Sequence, residues 1–219
     1  MDLSRFDQVL WFASAALAAA IIARILQQHL FQSPLKSFAW MVGVVLVRDA
    51  TLWIPRYNTH AYAVIWEWTL PALLAAQLWA GFDTLRAIAR LYPNIGKFGV
   101  RLFLACLAIT VTVCCLSLPF ELHRLEGPEA LLRSLFLLHR CVDSWIAGTL
   151  ILVAVFFARF PAPLRRPPRN LVMHTLLLSL YFGGYAALFL VENLAPLGAV
   201  ATLERVQFGL VVLLYTVWA

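Results

Sequence analysis

Apolar residues arrive in seven blocks, separated by short polar punctuation. The blocks fall at residues 9–30, 35–54, 61–82, 100–120, 130–158, 171–191 and 198–219. A helix needs about 20 apolar residues to cross a hydrocarbon core of about 30 Å, and each block has that length. The pattern predicts an all-α fold. It is that of a polytopic membrane protein, a single domain over 1–219 built as a bundle of seven transmembrane helices.

The punctuation sharpens the boundaries. Gln27, Gln28 and His29 mark the exit of the first block, and residues 55–60, PRYNTH, read as a turn. Residues 83–99 read as a polar, basic connector, and 159–170 as a proline-stiffened basic loop. Pro71 predicts a kink in the third span. Ala13, Ala15, Ala16, Ala18, Ala19 and Ala20 predict close helix approach in the first. Gly183–Gly184 has two readings, close packing of a neighbour or an unwound helix, and close packing is preferred. The opening MDLSRFDQ lacks the positive start of a cleaved signal, so the first block is expected to be a retained span.

Composition agrees with the pattern. The chain is 63% hydrophobic and only 13% charged, with a mean hydropathy of +0.83. Soluble domains are about a quarter charged, so a water-soluble fold is excluded on surface area alone. The net charge of +6 would suggest nucleic acid in a soluble protein. Here it reads as a loop marker, and no nucleic-acid partner is expected.

Those charges set the threading. Ten basic residues sit at the odd-numbered loops: Arg24, Lys36, Arg86, Arg90, Lys97, Arg101, Arg159, Arg165, Arg166 and Arg169. Only Arg5, Arg56 and Arg124 fall on the other side, while Asp83 is the one acid on the basic side. The positive-inside rule then puts the N-terminus outside and the C-terminus in the cytoplasm. The expected location is the inner (plasma) membrane, with the lipid bilayer as the first partner. A cytoplasmic or membrane protein partner would meet loops 83–99 and 159–170.

Candidate chemistry lies in the charges the blocks cannot shed. Arg133, His139, Arg140 and Asp143 fall in the fifth block, Arg48 and Asp49 in the second, Glu67 in the third, and Glu204 and Arg205 in the seventh. Ionisable groups inside a membrane are expensive and turn towards the bundle. Arg140 and Asp143 are three apart and His139 and Asp143 four apart, which puts them on one helix face. These nine residues are expected to form either a buried ion-pair network or an outward-facing polar pocket for a small anion or zwitterion. The network is the plainer reading and is preferred.

Other chemistries are excluded. The only lysines, Lys36 and Lys97, lie at loop edges, so no Schiff base is available in the seventh span. His29, His60, His123, His139 and His174 never pair within a span, against bis-histidine haem. No HExxH, GxSxG or phosphate loop occurs, so no cofactor or metal is expected and an enzyme is disfavoured. Cys106, Cys114, Cys115 and Cys141 read as small buried apolar residues.

Arg48 late in the second span, Tyr62, Trp66 and Glu67 in a Tyr-x3-Trp-Glu at the start of the third, and an arginine-bearing fifth span form a recognisable set. The set resembles a family of seven-span membrane proteins of soil bacteria. The resemblance implies a bacterial inner-membrane bundle and no particular activity. The best expectation is a receptor-like or sensor-like module. The alternatives are a small-solute transporter, disfavoured because the inner halves of spans four to seven read as dry, or a structural accessory subunit. Residues 206–219 make only about 21 Å of helix. The chain is therefore expected to continue past Ala219, or to hold Glu204 and Arg205 within the membrane.

Overall fold

The computed structural model describes residues 5–28, 35–53, 59–91, 130–159, 168–194 and 197–218, with scattered positions between 101 and 116. Six helices are continuous: α1 (Arg5–Gln27), α2 (Leu35–Trp53), α3 (Thr59–Leu91), α4 (Ala130–Arg159), α5 (Arg169–Leu194) and α6 (Leu197–Trp218). The described positions between 101 and 116 are helical as well, and no strand occurs among the described residues. The fold is all-helical. The connectors 55–58, 121–129 and 160–167 lie outside the described residues, as do the side chains of Arg133 and Glu204.

Among the described residues, two stretches are long and apolar enough to cross a membrane by length and composition, Gln8–Gln27 in α1 and Arg169–Val191 in α5, against the seven spans expected from the sequence. Charged residues also occur within the helices α2, α3 and α4. The 19 residues of α2 hold Lys36, Arg48 and Asp49. The third helix carries Glu67, Pro71, Gln77 and Asp83, and α4 carries Arg133, Arg140 and Asp143.

Two compact units divide the chain. The first comprises Met1–Ala80 and Ala201–Ala219. Within it α1 buries Ser14, Ala18, Ile21 and Ile25, one stripe at helical spacing. Of the six alanines expected at a close contact, only Ala18 is buried, and Ala16, Ala19 and Ala20 are exposed. Trp11 of α1 stacks on Trp53 of α2 with centroids 4.4 Å apart, and Phe12 meets Trp53 edge-on at 5.0 Å. The start of α1 and the end of α2 therefore share one end of the unit. At the other end Phe38, early in α2, packs on Trp218 of α6 at 4.5 Å.

The second unit is Gly81–Val200. Here α4 and α5 form an antiparallel pair. His139 near the start of α4 lies 4.5 Å, ring to ring, from Phe189 near the end of α5. Val153 near the end of α4 packs with Leu171 at the start of α5 and with Ile88. Gly183 lies within a continuous helix, so no unwound turn is present there. A Cβ on Gly183 would stand 3.8 Å from the Cβ of Ala147, so the helices pack closely at this level.

The basic connector after the third block is shorter than the sequence suggests, because α3 runs on to Leu91. Its last turns are amphipathic. Leu85, Ile88 and Leu91 pack against Val153 and Leu171, while Arg86 and Arg90 are exposed. Three apolar residues at helical spacing outweigh the polar composition of the stretch.

Candidate functional site

The charged residues fall into two groups, one in each unit. In the first, Arg48 is half-buried on α2 and its guanidinium lies over the Trp66 ring, 5.1 Å from the centroid. Its Nε donates to Thr69 Oγ1 at 3.2 Å. The same Thr69 hydroxyl donates to the Ile65 carbonyl at 2.8 Å, which fixes the oxygen that receives Arg48. A cation over a ring face with a donor to a neighbouring hydroxyl suits a guanidinium better than an ammonium. Asp49 and Glu67 are half-buried in this unit, and Arg205 is exposed rather than facing inwards.

The second group is deeper. His139, Arg140 and Asp143 of α4 are 1%, 4% and 0% exposed. His139 Nε2 stands 3.5 Å from Asp143 Oδ2, the spacing of residues four apart on one helix face. Among the described residues Asp143 Oδ1 has no hydrogen-bond partner. The sequence put both Arg140, three residues back, and His139, four back, on the face of Asp143. The contact between His139 and Asp143 is the one at 3.5 Å.

An aromatic wall from α5 closes over His139. Phe189 lies 4.5 Å and Tyr185 6.2 Å away, ring to ring, and Tyr181 stacks on Tyr185 at 4.7 Å. Further along the same unit, Thr84 of α3 and His174 of α5 meet at 3.4 Å between Oγ1 and Nε2, both buried. His174 and the tyrosines were not among the expected site residues. Their single-helix spacing carries no signal, because the partners stand on other helices.

Hydroxyls line the length between these two points. Thr149, Thr175 and Ser179 are buried, and each donates to the carbonyl four residues back at 2.7 Å. Buried hydroxyls thus continue along α4 and α5 beyond the charged group. Singly placed hydroxyls among leucines read as apolar along the chain, and only the helix pairing aligns them.

Cys106 is a free, buried cysteine, as expected. Cys141 is not. It is disulfide-bonded, with its partner outside the described residues. No cluster of three or more His, Cys, Asp or Glu residues suited to a metal ion occurs among the described residues.

No protein-family model matches the chain, and no curated protein or solved structure matches it either.

Proposed function

We propose that this chain is a multi-pass protein of a bacterial inner membrane, with seven spans, its N-terminus outside and its C-terminus in the cytoplasm. One observation carries the reading, an inverted distribution of polarity. On α5, Met173, Leu176, Leu180, Leu190 and Val191 are exposed, while His174, Thr175 and Ser179 are buried. Trp40, Val47, Trp68, Phe82, Ile151 and Val155 repeat the pattern of large exposed apolar side chains on α2, α3 and α4. In water that arrangement discards apolar burial and desolvates polar groups at the same time. In a bilayer both choices are favourable. The resemblance to seven-span bacterial membrane proteins agrees with it.

Within that frame the protein works as a sensor-like module centred on His139, Arg140 and Asp143. A change at this buried centre is passed along α4 and α5 to the cytoplasmic ends, where exposed Arg86 and Arg90 offer a surface to a protein partner. A small-solute transporter is the second reading. It is favoured by one specific observation, the buried hydroxyls that continue beyond the charged centre.

Single cysteines in an otherwise cysteine-free chain test the threading. Those at Thr59 and Gly127 should react with a membrane-impermeant thiol reagent in whole cells, and those at Gly96 and Ala162 only after lysis. Reversed labelling, or release of the chain from membranes by alkaline carbonate, would overturn the reading.

A further inference from the structure

The second unit holds two buried titratable centres joined by hydroxyls. At one end stand Asp143 and His139, and at the other His174 with Thr84. The antiparallel pairing of α4 and α5, pinned where Ala147 faces Gly183, sets their separation. Four residues of α4 and nine of α5 intervene, which amounts to about 20 Å along the helix axes. That is roughly two thirds of a hydrocarbon core of about 30 Å.

Hydroxyl-bearing residues recur at the intervening levels, between buried apolar side chains such as Leu150, Leu178 and Phe182. Tyr185 and Tyr181 come first, then Thr149, Ser179 and Thr175. Thr149, Ser179 and Thr175 each spend their proton on their own helix. Their oxygens keep lone pairs that accept from a neighbouring hydroxyl or a water. Beside Asp143 stands His139 of its own helix, with Arg140 buried on the same helix and Tyr185 of α5 6.2 Å, ring to ring, from His139. About His174 stands the Thr84 hydroxyl of α3.

We propose that this unit is a proton pathway, in which Asp143 takes a proton from the outer phase and His174 delivers one to the cytoplasmic phase. The carboxylate oxygen Oδ1 gains the proton, with His139 Nε2 holding the opposite oxygen. Water between the hydroxyls of Tyr185, Tyr181, Thr149, Ser179 and Thr175 relays it by exchange of O–H bonds. One proton enters for each that leaves, so no redox partner is needed. The inference rests on the membrane-spanning reading and chooses the proton as the species moved or sensed there.

The test uses the purified full chain in phospholipid vesicles containing a pH-sensitive dye, with a potassium gradient and valinomycin supplying the driving potential. Wild type should change internal pH at least tenfold faster than protein-free vesicles. Asp143→Asn and His174→Ala should each lower that rate at least tenfold, and Leu176→Ala, on the exposed face, should leave it unchanged. Should Asp143→Asn aggregate on size exclusion, Asp143→Glu and Ser179→Leu replace it, the first retaining flux and the second losing it. Wild-type vesicles no faster than empty ones, or flux indifferent to Asp143 and His174, would sink the proposal. Carbonate extraction separates the two failures. A chain that stays in the membrane without moving protons defeats only this inference, and a released chain defeats the membrane reading beneath it.

Discussion

His139 Nε2 and Asp143 Oδ2 stand 3.5 Å apart, one helical turn along α4, and neither side chain meets solvent. A carboxylate in such a place requires a positive partner or a proton. The i, i+4 arrangement makes the partner local, so the pair forms with the helix itself and does not wait for the bundle. It also ties the acid to a residue whose ring packs on Phe189 of the next helix. A change in the pair is thus felt directly by α5.

Breaking the pair from one side should be costly. His139→Ala leaves Asp143 buried without its partner and is expected to lower stability by about 3–5 kcal/mol. His139→Leu together with Asp143→Leu should recover most of that loss, because no uncompensated charge remains. Thermal unfolding in detergent measures both. A double variant as unstable as His139→Ala would show that the pair is not the stabilising unit.

Gly81 is a second sensitive point. A Cβ there would meet Ile146 Cγ2 at 2.8 Å and Cγ1 at 3.4 Å. Ile146 is buried and branched at Cβ, so it has little room to turn away. Gly81→Ala should cost about 1–3 kcal/mol by overpacking. Ile146→Ala opens the space, so the double variant should lose less than the two single losses added together. Strict additivity in chemical unfolding would argue against a contact here.

At Arg48 the guanidinium stacks on Trp66 while donating to Thr69. Arg48→Lys keeps the charge and loses the planar stack, at a cost of about 1–2 kcal/mol. Trp66→Leu should remove the same interaction, so a double-mutant cycle between the two should show coupling of about 0.5–2 kcal/mol. Zero coupling would mean that the ring and the guanidinium are merely adjacent.

The two faces of α5 should respond in opposite ways. Leu178 is fully buried and Leu180 is well exposed. Leu178→Ala should cost about 2–5 kcal/mol, while Leu180→Ala should be nearly silent in detergent. Leu180→Lys should still impair membrane insertion, since a lysine in mid-helix costs about 2.5–3.5 kcal/mol on insertion scales. Quantitative membrane fractionation reads the second effect. Unimpaired insertion would place this face against protein or water instead of lipid.

The hydrophobic blocks alone determined that the chain is helical and where several of the helices lie. A run of about 20 apolar residues, if it lies in a bilayer as proposed, has few alternatives to a helix, because backbone polar groups must be satisfied within the segment. The helix bounds of α2, α5 and α6 fall within a few residues of the blocks that predicted them. Charge placement likewise singled out Arg140, His139 and Asp143, since spacing on one helix is legible from sequence. Partners on other helices were not. Only the tertiary structure paired His174 with Thr84, set Phe189 and Tyr185 on His139, bonded Cys141 to another cysteine and turned Arg205 outwards. It alone carried α3 through the basic connector, because Leu85, Ile88 and Leu91 gain their stabilisation from Val153 and Leu171. Those apolar side chains lie more than sixty residues further along the chain. A contact between distant segments is decided by how helices pack, and no local pattern of apolar and polar positions records it.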